Sequence, residues 1–151
     1  MVFRPLWLIG LMAGYHLSAA AFPCFLTVVK DKCWGDYEVT VNVADALTTT
    51  PVAHFILGKG TLWLREQINC SPGQKLSYAA SFLPNIWESD KGVVFPGKRF
   101  LMLPSQIGAK QVAWELPLCY PDAFTGVPFP PNVSGPCGCD FTTVPPIELG
   151  S

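Results

Sequence analysis

From Tyr37 the side chains alternate in character: Tyr37, Val39, Val41 and Val43 on one side, Glu38, Thr40, Asn42 and Ala44 on the other. Successive side chains of a strand point to opposite faces, so this stretch predicts a strand with one apolar and one wet face. Cys33 and Trp34 stand at its entrance, where a bridge and a large buried ring would pin it into a core. The same period recurs in residues 75–83, with Leu76, Tyr78, Ala80 and Phe82 on one face. Alanines 79 and 80 also suit a helix of one or two turns at residues 78–83.

Shorter runs predict further strands at residues 25–30, 52–57, 61–66, 99–103 and 111–116. Gly58-Lys59-Gly60 predicts a hairpin between the second and third of these, and Cys70-Ser71-Pro72-Gly73 a turn. Residues 85–97 read as a loop that displays Trp87. Nowhere after residue 21 does an apolar period of 3.6 persist for three turns. Short strands separated by Gly, Pro and Asn predict an all-β fold, an antiparallel β-sandwich (immunoglobulin-like or related), over residues 22–117.

Composition changes beyond that point. Eight of the 15 prolines lie between Pro117 and Pro146. Proline lacks an N–H and fixes φ, so residues 118–151 predict an extended tail in place of a central strand. The tail also carries Cys119, Cys137, Cys139, Tyr120 and Phe129, which suits a segment packed on the domain or on a partner.

At the other end, Arg4, an apolar run over residues 6–17 and the small residues Ser18-Ala19-Ala20-Ala21 follow the order of a secretory signal peptide, residues 1–21. The run falls short of the roughly 20 residues that cross a bilayer, so no integral membrane span is expected after cleavage. All six cysteines (Cys24, Cys33, Cys70, Cys119, Cys137, Cys139) lie beyond it. An even set in an exported chain predicts disulfides, and a periplasmic or extracellular location. Cys24 with Cys33, and Cys70 with one of the last three, are the preferred pairings. Nine basic and eleven acidic residues remain after residue 21, with no basic stripe, which argues against nucleic acid as a partner.

Candidate chemistry is sparse. Cys137-Gly138-Cys139 suits two separate structural bridges; a redox pair would want a following helix, and zinc would want Cys-x-x-Cys knuckles. His54, the only histidine after residue 21, has no serine motif near it. Carboxylates at Asp36, Glu38, Glu88, Asp90 and Glu115 have no evident pairing. No catalytic residue, metal ligand or cofactor is assigned, and the chain is expected not to be an enzyme. Asn132-Val133-Ser134 is a glycosylation sequon in hosts that read it.

The aromatic set divides in two. Trp34 and Trp114 suit the core, while Trp87, Trp63, Tyr120 and Phe129 are candidate contact residues. The expected role is a structural or assembly protein that binds another cell-envelope protein, and sandwich edges that accept an added strand supply a route. The alternatives are a carbohydrate- or lipid-binding module using exposed tryptophans, and a disulfide-rich secreted effector. The leader, the Cys-Trp-Gly-Asp-Tyr-Glu-Val-Thr-Val stretch at residues 33–41 and Pro-Cys-Gly-Cys at 136–139 resemble small periplasmic proteins that accompany Dot/Icm-type (type IVB) secretion systems. That resemblance implies a part of an outer-membrane-associated complex and assigns no residue a role.

Overall fold

In the computed structural model, which describes residues 21–149, the alternating stretches become strands: β1 (Phe22–Lys30), β2 (Glu38–Asp45), β3 (Pro51–Leu57), β4 (Trp63–Cys70), β5 (Lys75–Leu83), β6 (Phe95–Pro96), β7 (Leu101–Met102) and β8 (Trp114–Tyr120). The expected signal peptide lies, apart from its last residue, outside the described residues. One sheet has the order β4-β1-β8, the other β3-β2-β5-β6 with β7 also on β5. The ladders are antiparallel, with one exception: β1 and β8 run parallel, from Cys24 beside Trp114 to Lys30 beside Tyr120.

The inward faces are those the alternation marks. Val39, Val41 and Val43 of β2 and Leu76, Tyr78, Ala80 and Phe82 of β5 are buried, with Val41 opposite Ala80 on one side and Phe55 on the other. The helical alternative at residues 78–83 is not adopted. Between the sheets Trp34 packs edge-on against Phe82 at 4.8 Å and Tyr120 at 5.1 Å. A single 3₁₀ turn, Lys32–Trp34, places that ring, and the Asp31 carboxylate caps the turn by accepting the Cys33 N–H at 2.8 Å.

Strand β1 departs from alternation: every residue from Leu26 to Lys30 is buried. It is the central strand of its sheet, and the C-terminal segment approaches its outer face. Phe141, Val144, Pro145 and Pro146 share a cleft with Thr27 and Arg65, and the Cys139 sulfur lies 3.3 Å from the Val29 carbonyl. A strand covered on both faces reads as a continuous apolar run.

The glycines at 58–60 do not make a hairpin. β3 and β4 belong to opposite sheets, because the backbone groups a hairpin would pair are engaged elsewhere. Gly60 N–H donates to Gly35 O at 2.9 Å, Leu62 O accepts from Lys30 N at 2.7 Å, and Gly58 O accepts from the Lys30 ammonium at 2.8 Å. The expected strand at 99–103 contracts to β7, and the loop at 85–97 contains β6. The strand expected at 111–116 is displaced to β8, which runs three residues into the stretch read as tail. Pro117 is tolerated there because β8 is a sheet edge.

All six cysteines are bridged, with pairings other than those preferred: Cys24–Cys70, Cys33–Cys137 and Cys119–Cys139. Cys24 and Cys33 lie toward opposite ends of extended β1, roughly 20 Å or more apart at about 3.3 Å per residue. Cys70 instead comes across the β1–β4 ladder to a Cα distance of 5.9 Å from Cys24, inside the core. The other two bridges fasten the C-terminal segment to the turn after β1 and to β8. Three disulfides suit an oxidising environment beyond the cytoplasm. No helix among the described residues is long and apolar enough to cross a membrane.

Candidate interaction surface

The six cysteines and His54 are engaged structurally. Cys137 and Cys139 form separate bridges, so neither offers a thiolate and they do not form a ring with each other. A carboxylate oxygen of Asp31 and the sulfurs of Cys33 and Cys137 lie within 4.8 Å of one another, but those sulfurs are bonded together and Asp31 caps the adjacent turn. His54 is exposed on the outer face of β3, its Nδ1 2.6 Å from Asn42 Oδ1 on the neighbouring strand. Asp36 sits with Lys32 and Tyr37 in an open cleft of about 650 Å³ rimmed by Pro84, Pro131 and Pro136.

Lys30 carried no signal in the sequence beyond its place at a strand end. It is 1% exposed, with its ammonium donating to Tyr37 O at 2.7 Å, Gly58 O at 2.8 Å and, more loosely, Leu57 O at 3.4 Å. Burial pushes its pKa below the ordinary 10.5, against the opposing pull of Glu38 and Asp36. The contacts tie the end of β1 to the start of β2 and the end of β3, a structural clamp.

Of the four candidate contact residues, one is overturned. Tyr120 is fully buried against Trp34 and Phe124, and its hydroxyl finds no hydrogen-bond partner among the described residues. Desolvation raises its pKa far above the ordinary phenolic value. Trp87 is 64% exposed and Phe129 72%, while Trp63 is half-buried under the Arg65 guanidinium. The rings of Trp63, Trp87 and Phe129 make no aromatic pair with one another among the described residues, so they do not form one stacking platform. Trp34 and Trp114 lie in the core.

The sheet edges differ in how they are protected. β4 carries Arg65 and Glu66, β8 carries Glu115 and Pro117, and β6 and β7 have two residues each. Strand β3, Pro-Val-Ala-His-Phe-Ile-Leu, has no charged residue and a proline only at its first position. It is the outermost strand of its sheet, with Ile56 51% exposed and His54 beside it on the outer face. Natural sheets ordinarily blunt such an edge with charge, proline or a bulge; β3 has Pro51 and a register shift opposite Val43 and Ala44 at its start, which leaves residues 53–57 regular and uncharged. The uncharged run was visible in the sequence; its place at the border of a sheet was not.

Compared with family models, curated proteins and solved structures, the chain finds no match. Fold and surface define a disulfide-braced all-β sandwich whose β3 edge carries no charged residue.

Proposed function

We propose that this protein is an exported, non-enzymatic assembly module that binds another cell-envelope protein by accepting a strand along β3. The observation that carries this reading is the contrast between β3 and the other edges: past Pro51 and the bulge at its start, residues 53–57 run uncharged and in regular register, with the apolar Ile56 outward. Main-chain hydrogen bonds would supply affinity, and His54 and Ile56, both exposed on the outer face, would read the partner's side chains. A role in an outer-membrane-associated secretion complex, as the resemblance to Dot/Icm-accompanying proteins implies, is the concrete form of the proposal. The cysteines, Lys30 and Asp31 all serve the fold, which supports a binding role over a catalytic one.

The test is cross-linking in the native envelope, then purification in mild detergent, with the parent chain and with His54→Lys/Ile56→Lys. Both positions are exposed, so the charges guard the edge and leave the core alone. One defined envelope partner should be recovered with the parent and lost with the double variant at unchanged melting temperature. Recovery of the same partner by both chains, or of none by the parent, refutes the reading.

A second reading, a carbohydrate-binding module, is favoured by the 64% exposure of the Trp87 ring. It predicts glycan quenching of tryptophan fluorescence that Trp87→Ala abolishes.

A further inference from the structure

Charge is unevenly distributed along the chain. Residues 91–113 hold Lys91, Lys98, Arg99 and Lys110 and no acid, while the rest of the chain from residue 22 holds five basic and eleven acidic residues. The same cationic segment displays Phe100 at 53% and Met102 at 59% exposure.

The fold sets this segment beside the β2–β3 turn, whose Leu47 is 92% exposed. Leu47, Lys75 and Phe100 line one groove of about 500 Å³, and Met102 stands directly across the ladder from Lys75. Lys98 and Arg99 continue the basic rim along Ser77 and Tyr78. One acid, Asp45, lines the groove. Its carboxylate accepts the N–H groups of Leu47 and Thr48, both at 2.9 Å, and the Gln74 side-chain amide at 2.8 Å. Asp45 thus fixes the turn that holds Leu47 out in water.

Single exposed apolar residues are ordinary. Three large ones, Leu47 on the β2–β3 turn and Phe100 and Met102 on the neighbouring segment that forms β7, rimmed by lysine and arginine in a chain that is otherwise acidic, are a different arrangement. It matches the chemistry of an interfacial anchor, with apolar tips at headgroup depth and cations against lipid phosphates. We propose that this end of the sandwich docks on an anionic lipid surface, with Leu47, Phe100 and Met102 inserting and Lys75, Lys98 and Arg99 meeting the headgroups. Basic residues beside apolar tips match the negative headgroups and the acyl boundary of such a surface. The site is distinct from the β3 edge and stands whether or not that edge takes a strand.

Co-sedimentation of the full oxidised chain with vesicles tests it, using phosphatidylcholine alone and with about 30% phosphatidylglycerol. Binding should require the anionic lipid, fall about tenfold or more in high salt, and fall at least as far in Leu47→Ser/Phe100→Ser. Charge reversal by Lys75→Glu/Lys98→Glu should abolish it, and His54→Lys/Ile56→Lys should leave it intact. Equal binding to neutral vesicles, no binding to either, or retention of soluble poly-glutamate in place of vesicles would each overturn the proposal. Melting temperatures within about 2 °C of the parent show that the variants are folded, and the two independent pairs keep the test decisive if one is not.

Discussion

Replacing Lys30 by methionine keeps most of the apolar stem and removes the ammonium from the centre of the domain. Two contacts are short, to Tyr37 O at 2.7 Å and Gly58 O at 2.8 Å, and the third, at 3.4 Å, is weak. A hydrogen bond to a charged group contributes about 1.5–3 kcal/mol, so the gross loss is about 3–6 kcal/mol. Releasing the ammonium from burial offsets about half of that, and the net destabilisation expected is about 2 kcal/mol. In urea, with a slope of about 2 kcal/mol per molar, the midpoint of the oxidised protein should fall by about 1 M. The pH dependence gives a second, independent readout. Because burial depresses the folded pKa below 10.5, the unfolded chain binds more protons between those two values. Stability attributable to Lys30 is therefore lowest below the folded pKa and rises with pH toward 10.5. Tyr78 and Tyr120, whose pKa values are raised, pull the other way above about pH 10 and cancel when parent and variant are compared. Over about pH 7 to 10 the stability gap between parent and Lys30→Met should widen. A variant within 0.5 kcal/mol of the parent at neutral pH, or a pH-independent gap, would refute the clamp.

Two further outcomes follow from the core and the bridges. Removing the Cys33–Cys137 bridge by a double serine substitution should cost about 4 kcal/mol, because with the other two bridges in place it closes a loop of roughly 60 residues. Urea titration of the otherwise oxidised chain measures it, and a loss below about 1 kcal/mol would show that the C-terminal segment is not restricted in this way. Tyr120→Phe removes a buried hydroxyl that has no partner among the described residues, and should raise stability by about 1 kcal/mol. Calorimetry that finds the variant less stable by that amount would mean the hydroxyl is satisfied.

The strands legible in the sequence were those with one dry and one wet face. β2 and β5 have neighbours on both sides in an otherwise half-solvated sheet, so their period of two survives as written. What alternation cannot encode is which strand lies beside which. The parallel β1–β8 pairing and the border position of β3 come from contacts between distant residues. Lys30 stands at a strand end, and its partners, Tyr37 O and Gly58 O, are backbone groups that no residue type announces. Tyr120 was misread for another reason. Trp114, Leu116, Leu118 and Tyr120 do alternate with Glu115, Pro117 and Cys119, but a proline inside that run signals the end of a strand. At an edge the missing N–H faces no neighbour, so the strand continues and carries the ring into the core. The cysteine pairing failed on geometry: proximity in sequence across an extended strand is distance in space.

The bridges are not spread evenly over the two sheets. Cys24–Cys70 joins β1 to β4, Cys119–Cys139 holds the C-terminal segment to β8, and Cys33–Cys137 ties that segment to the turn after β1. Strands β2, β3, β5, β6 and β7 contain no cysteine. Covalent bracing is therefore concentrated in the β4-β1-β8 sheet and its covering segment, while the open edge belongs to the other. A strand added at β3 would extend a sheet in which only hydrogen bonds and packing need to adjust, backed by one held rigid by sulfur. Adding a strand at β8 would instead meet Pro117, where the ladder lacks a donor, and at β4 the charges of Arg65 and Glu66. Cysteine and charge, and proline past Pro51, are thus all absent from the same edge.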